Sequence, residues 1–383
     1  MAVNGFEVFD GDGHVLENDE EITSYFEGDF ANLQRFKTFG VWPSLDGWAR
    51  GFIMASNDGE PRRYTHTDAK VWGEMLEIIG AKGTVLYPTA GLAAGLISDP
   101  KWAVETIKAY NNWLEDRYTS KDERLYGAGI VPVQDPEAAA IEIARCTTER
   151  VRFPAMMLPS QTYLGKTYGD EFFWPIFDAA EKHNMPLAIH GGPSRGMGFD
   201  HFREFVKVHT LEHPFPLMIQ LTDIVFSGVW DAFPKLKIAF LEGGATWVPF
   251  MMDRLDYEYD SVFGAASRQK LKKRPSDYLR EGDNFWVAME LGEANLKYTI
   301  DAIGPDGRPQ IIHIKGFHPL DDHYGLGCLG AAAEAIAVHN AATRWNRALL
   351  DNAARPSGAL VYDPGDGSTL SPEQFAQLKA ELE

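Results

Sequence analysis

The stretch Phe6-Glu-Val-Phe-Asp10-Gly-Asp-Gly-His14 is a short apolar run that closes on two aspartates and a histidine. Alternate side chains of an extended strand point to the same side, so Asp12 and His14 can both reach one cation. The competing reading is a tight Asp-Gly-Asp-Gly turn with a hydrophilic histidine after it. A second apolar run ends the same way: Met185-Pro-Leu-Ala-Ile-His190-Gly-Gly-Pro193 reads as a buried strand finishing in a histidine and a glycine-rich turn. Parallel α/β barrels carry their active sites on loops at the C-terminal ends of the strands. Taken alone, His190 would be read as a structural histidine. Beside Asp12 and His14 it becomes the third candidate ligand.

Working outward from these two runs, strand-like segments recur at Phe6 to Asp10, Thr84 to Tyr87, Tyr126 to Val133, Ala155 to Leu158, Leu187 to His190, Lys237 to Leu241, Phe285 to Met289 and Gln310 to Ile314. Helical patterns lie between most of them, as at Asp99 to Tyr118, with Trp102, Ile107, Tyr110, Trp113 and Leu114 on one side, and at Pro136 to Arg150. Strands alternating with helices imply parallel pairing through crossovers, and eight such units close a barrel. The sequence therefore predicts an α/β fold, a (β/α)8 TIM barrel, with a doubly wound open sheet as the alternative. The whole chain, 1–383, is read as one barrel domain. Residues 18–68 form an insertion after the first strand, serving as lid or pocket wall because its aromatics need burial. Residues 355–383 form a C-terminal extension in which Ser371-Pro372 starts a helix.

Composition narrows the function. The formal charge of −19 argues against a nucleic-acid or anionic-membrane surface, and its simpler consequence is solubility. No apolar stretch is long enough to span a membrane, and no secretory signal precedes the first strand. Cys146 and Cys328 are too few for a disulfide framework or a cysteine-based zinc site, and a reducing cytoplasm is the simplest compartment.

Further polar residues gather where the barrel mouth should be. His209 and His213 lie four apart, on one face if helical, and could ligate a metal, hold a carboxylate or shuttle a proton; a helix cap or surface position is the plainer alternative. His213, next to Pro214, is the preferred of the two. The run Lys237-Ile-Ala-Phe-Leu-Glu242-Gly-Gly ends in a carboxylate that could bridge a second metal or act as a general base, against a capping or turn role. Arg195 could clamp an anionic group. Trp48, with Trp42 and Phe52, would give the insertion an aromatic pocket wall.

The segments Asp10-Gly-Asp-Gly-His14-Val-Leu-Glu17, Val85-Leu-Tyr-Pro-Thr89, Ala109-Tyr-Asn-Asn-Trp-Leu114, Pro186-Leu-Ala-Ile-His-Gly191, Phe233-Pro-Lys-Leu-Lys237, Phe240-Leu-Glu-Gly-Gly244 and Trp247-Val-Pro-Phe250, in this order, resemble the amidohydrolase superfamily. More narrowly, they resemble the amidohydrolase 2 branch that contains aminocarboxymuconate-semialdehyde decarboxylase. The resemblance implies a metal-dependent barrel enzyme with Asp12, His14 and His190 as metal ligands, and the family's habit of dimers implies a homodimer. Glu242 falls where the decarboxylases carry a catalytic histidine, and relatives with glutamate there include dinuclear members in which the residue matching His213 faces the metals. The family's eighth strand ends in a Ser/Thr-Asp-Tyr/Phe-Pro-His motif. Here the stretch is Ile311-Ile-His-Ile-Lys-Gly316-Phe-His-Pro-Leu-Asp-Asp-His323, with Gly316 at the aspartate position and Asp321, Asp322, His313 or His318 as possible substitutes.

Three functions follow as expectations. The first is a metal-dependent hydrolase, or a decarboxylase of the same branch, acting on a small carbonyl or carboxylate compound, aromatic ones included. It would use Zn²⁺ foremost, or Mn²⁺ or iron, with Glu242 or His213 moving protons. The second is a dinuclear iron or manganese oxygenase or thioesterase-like enzyme. The third, prompted by the missing aspartate, is a non-catalytic barrel subunit.

Overall fold

A computed structural model describes residues 8–31, 40–43, 68–150, 152–290, 292–303, 311–313 and 369–382. Contacts divide the chain into two units, Met1–Ala332 and Ala333–Glu383. In the first, eight parallel strands lie side by side in sequence order: β1 (Phe9–His14), β2 (Gly83–Tyr87), β3 (Leu125–Ile130), β4 (Ala155–Pro159), β5 (Leu187–His190), β6 (Ile238–Leu241), β7 (Phe285–Met289) and β8 (Ile311–His313). This is the α/β order of a (β/α)8 barrel. A doubly wound sheet would reverse its strand order at a switch point, and this one does not.

Helices fill the crossovers: α1 (Ala69–Ile79), α2 (Pro100–Leu114), α3 (Pro136–Glu149), α4 (Trp174–Lys182), α5 (Phe205–Glu212), α6 (Pro214–Phe226), α7 (Trp247–Asp260) and α8 (Leu296–Ile303). Their ends follow from the sequence. Asp68, Asp99 and Asp135 each accept the backbone N–H of the third residue of the helix that follows, an interaction typically worth about 1 kcal/mol. Pro100 and Pro136 then occupy first-turn positions where no N–H is needed. Gly80 closes α1 in the left-handed conformation, at φ 70°.

The predicted face of α2 is buried, with Ile107, Tyr110, Trp113 and Leu114 inside and Trp102 half-buried. Asn111 ties that helix to the tip of β3. Its Oδ1 accepts from Ile130 N–H at 2.8 Å, while its Nδ2 donates to the Ile130 carbonyl at 3.1 Å and to Glu142 at 2.7 Å. β3 stops at Ile130 instead of Val133, because Pro132 has no N–H to continue the ladder.

The largest departure from the sequence reading is at β1. The strand does not end at Asp10 but runs through Asp10-Gly-Asp-Gly to His14, so the tight-turn alternative fails. Its register against β2 slips between Asp10, opposite Thr84, and Gly13, opposite Leu86, which inserts one extra residue on β1. Such a bulge re-aims side chains locally. Gly13 is required there, since a Cβ would lie 2.4 Å from Thr84 Oγ1 and 2.9 Å from Trp72.

Of the predicted insertion, the described parts include a short helix, Asp19–Thr23, capped by Asn18. Trp42 is buried with its ring edge-on to Tyr110 at 5.8 Å. Trp48 and Phe52 lie outside the described residues. In the second unit, α9 (Pro372–Leu382) starts where Ser371 was expected to cap it, with Ser371 Oγ accepting from Gln374 N–H at 3.2 Å. No helix among the described residues is long and apolar enough to cross a membrane.

Candidate metal centre and its proton-handling pair

Asp12 and His14 come from the bulged end of β1 and His190 from the last position of β5. All three are buried, and one donor atom of each lies within 4.8 Å of the other two. The imidazoles are fixed from behind. His14 Nδ1 lies 2.8 Å from the Pro88 carbonyl and His190 Nδ1 lies 2.7 Å from the Gly191 carbonyl, so in both rings this nitrogen is the donor. Each Nε2 is thereby turned toward Asp12 Oδ1, at 3.7 Å from His14 and 3.0 Å from His190.

Neutral rings held this way direct lone pairs at a carboxylate, which is unfavourable until a proton or a cation sits between them. Burial disfavours a charged His190, yet the neighbouring Asp12 carboxylate outweighs burial, with Glu242 adding to it, and its pKa is raised to about 9. The donor set of two imidazole nitrogens and one carboxylate oxygen suits a first-row divalent cation. The ring of Tyr87, at the end of β2, packs 5.2 Å from that of His190.

Register brings the second group of residues in. His190 pairs with Leu241 across β5 and β6, so Glu242, the next residue, stands beside it. Glu242 Oε2 is 3.5 Å from His190 Nδ1 and 3.3 Å from His213 Nε2. Its backbone is left-handed, φ 58°, an unusual and strained state for a long side chain.

His213 sits at the junction of α5 and α6. Gly191 lets it approach, because a Cβ there would meet its ring at 2.8 Å. Burial pushes Glu242 up, but His213 and then His190 draw it well below the usual carboxylate range. Burial likewise opposes charge on His213, and Glu242 overrides it, raising its pKa. The pair therefore favours an imidazolium beside a carboxylate.

Of the other predicted residues, His209 is exposed, its ring 4.5 Å from that of His213. Arg195 is exposed too; its backbone N–H donates to Gln161, and its carbonyl accepts from Gln161 at 2.6 Å. Trp48, Gly316, His318, Asp321 and Asp322 lie outside the described residues. His313 is the last residue of β8, opposite Met289.

The sequence reading missed three carboxylates that brace the strand ends and loops around this site. Asp10 accepts from Thr84 Oγ1 and from Asp12 N–H, and burial pushes it up to about 7. Glu212 is buried and accepts from Ser194 N–H in the loop after β5. Glu17 accepts from the N–H groups of Thr89, Ala90 and Gly91 in the loop after β2. In a sequence these look like ordinary solvated acids, and only the fold supplies their partners.

Burial raises Glu17 from 4.5 to about 7 despite its three donors. Because the folded value lies above the unfolded one, its contribution to stability is complete below about pH 4.5 and is lost as pH rises through about 7. Glu17→Gln should flatten the pH dependence of the chemical-denaturation midpoint across that window. An unchanged slope would remove Glu17 as its source.

A sequential parallel α/β barrel with a buried Asp-His-His cluster at its strand ends defines the class of molecule. The amidohydrolase family profile matches residues 85–306, and the chain belongs to that family. A second profile, that of the phage portal protein, matches residues 264–383. The stretch Ile311 to His323, with Gly316 at the family's aspartate position, thus falls beyond the amidohydrolase match and inside the other.

Among curated relatives, the 2-amino-3-carboxymuconate-6-semialdehyde decarboxylase of Dictyostelium discoideum is 23% identical over 278 residues, 71% of this chain and 74% of that one. Uncharacterized proteins of Rickettsia felis and Rickettsia bellii are 49% and 46% identical over 85 residues; this chain spans 21% of the length of each. Among solved structures, 5-carboxyvanillate decarboxylase from Sphingomonas paucimobilis superposes with a TM-score of 0.58 at 22% identity, covering 86% of this chain and 98% of that one. The Novosphingobium aromaticivorans 5-carboxyvanillate decarboxylase, complexed with manganese and 4-hydroxy-3-methoxy-5-nitrobenzoic acid, gives 0.58 at 21% identity, covering 82% and 87%.

Proposed function

We propose that this chain is a metal-dependent decarboxylase of a small unsaturated or aromatic carboxylate. The observation that carries the reading is the convergence of two buried imidazole Nε2 atoms on Asp12 Oδ1, beside an ion pair of Glu242 and His213. The decarboxylase relative aligned over 71% of the chain favours carbon–carbon cleavage over the hydrolysis that the sequence reading put first. Asp12 Oδ1, His14 Nε2 and His190 Nε2 would hold a divalent ion. The manganese reported for the Novosphingobium enzyme makes Mn²⁺ the first to test, ahead of Zn²⁺. Held there, such an ion would supply Lewis-acid polarisation of a bound carboxylate compound's oxygens.

The rest is proton handling by the chain itself. Glu242 keeps a proton on His213 Nε2 at the edge of the site. As the bond to the carboxylate carbon breaks, CO2 leaves, the electron pair stays on the substrate carbon, and that carbon takes the proton. Tyr87, packed against His190, limits how the substrate ring can lie. A homodimer, an aromatic wall supplied by Trp48 and an anion clamp at Arg195 are retained as parts of this proposal.

The test is incubation of the manganese-loaded chain with 2-amino-3-carboxymuconate semialdehyde and a panel of hydroxylated benzoates, following CO2 release and product mass. Products one CO2 lighter are expected. Water addition without CO2 release would replace the reading with hydrolysis. The end of the amidohydrolase match at residue 306 favours a second reading, a non-catalytic barrel. Full metal occupancy with no turnover of any compound would establish that instead.

A further inference from the structure

We propose that Glu293, in the loop after β7, is a positioning residue for Glu242. The inference rests on the proton-handling role given to Glu242 above. The segment Glu242-Gly-Gly-Ala-Thr246 leaves β6 in a left-handed turn, φ 58° at Glu242 and 68° at Gly244, and reaches the start of α7 at Trp247. Two left-handed residues within three make a backbone that its own ladder does not hold, so outside contacts must fix it.

Glu293 supplies them. Its Oε1 accepts from Ala245 N–H at 2.9 Å, Thr246 N–H at 3.0 Å and Thr246 Oγ1 at 3.1 Å, while Oε2 accepts from Glu290 N–H at 3.0 Å. One carboxylate thereby joins the loop after β6 to the loop after β7. The fit is close: a Cβ on Gly244 would sit 2.6 Å from Glu293 Oε1, so glycine is what admits the carboxylate. A negative group before the first turn of α7 is also favoured by the helix dipole. From below, Thr299 Oγ1 donates to the Ala245 carbonyl at 3.0 Å. The direction Glu242 faces is therefore set by a residue about fifty positions later in the chain.

Two variants test this on the metal-loaded full chain. Glu293→Ala removes every acceptor, whereas Glu293→Gln keeps one oxygen and the shape. Glu293→Ala should lower kcat on the order of 100-fold with KM changed less than about threefold, as expected when a reacting group is displaced by about 1 Å. Glu293→Gln should recover part of that loss. Independently of activity, hydrogen exchange at Ala245 and Thr246 should quicken by about tenfold in Glu293→Ala, with the loop after β5 unchanged. Glu293→Ala that matches wild type in kcat and exchange overturns the proposal. So does exchange that rises evenly through the barrel in both variants, which marks plain destabilisation. Full activity of Glu242→Gln would instead overturn the role of Glu242, whatever Glu293 does.

Discussion

His190→Ala should yield protein with far less than one divalent ion per chain and no measurable turnover. His190 Nε2 lies closer to Asp12 than His14 Nε2 does, and its ring is locked by the Gly191 carbonyl, so its loss removes a pre-aimed donor. Removing an outer-shell partner alone costs about 10- to 100-fold in metal affinity, and loss of a ligand should exceed that. His190 is buried, so the alanine also leaves a cavity; His190→Gln, closer in volume, separates packing from ligation and should be equally metal-poor. Elemental analysis decides the matter. Unchanged metal content in both variants would eliminate His190 as a ligand.

Glu242→Gln should cut kcat by roughly 100- to 10,000-fold, the range for loss of a positioned proton-transfer group. The amide keeps the size of the side chain and leaves the φ of 58° equally strained, so the fold should persist and the deficit should be chemical. What disappears is the charge that holds a proton on His213. Metal content should stay near that of wild type. A fully active variant would take Glu242 out of the mechanism and return proton transfer to another group.

Much of this arrangement could be read in the chain before its fold was known, and the reasons differ by element. The parallel strands announced themselves because strands buried on both faces are continuous apolar runs, as at Leu187 to His190. The cluster was legible because Asp12, His14 and His190 all stand at the ends of such runs. The bulge in β1 was not, since a register slip depends on the partner strand and on the space that Gly13 leaves under Thr84 and Trp72. The loop-holding acids Glu17, Glu212 and Glu293 stayed invisible for the same reason. Each has partners among backbone N–H groups 18 to 74 positions away, which no local pattern encodes. The eighth strand, expected over Gln310 to Ile314, is described at Ile311–His313, while the loop motif that follows it lies beyond the family match, which ends at residue 306.

The left-handed backbone at Glu242 has a bearing on how this protein would respond to directed evolution. A library screened only for heat resistance should drift toward glycine or asparagine at that position, because both relax a conformation that disfavours a long side chain by about 1–3 kcal/mol. Thermal hardiness and chemical competence are thus opposed at a single codon, and a screen rewarding the first would quietly select against the second.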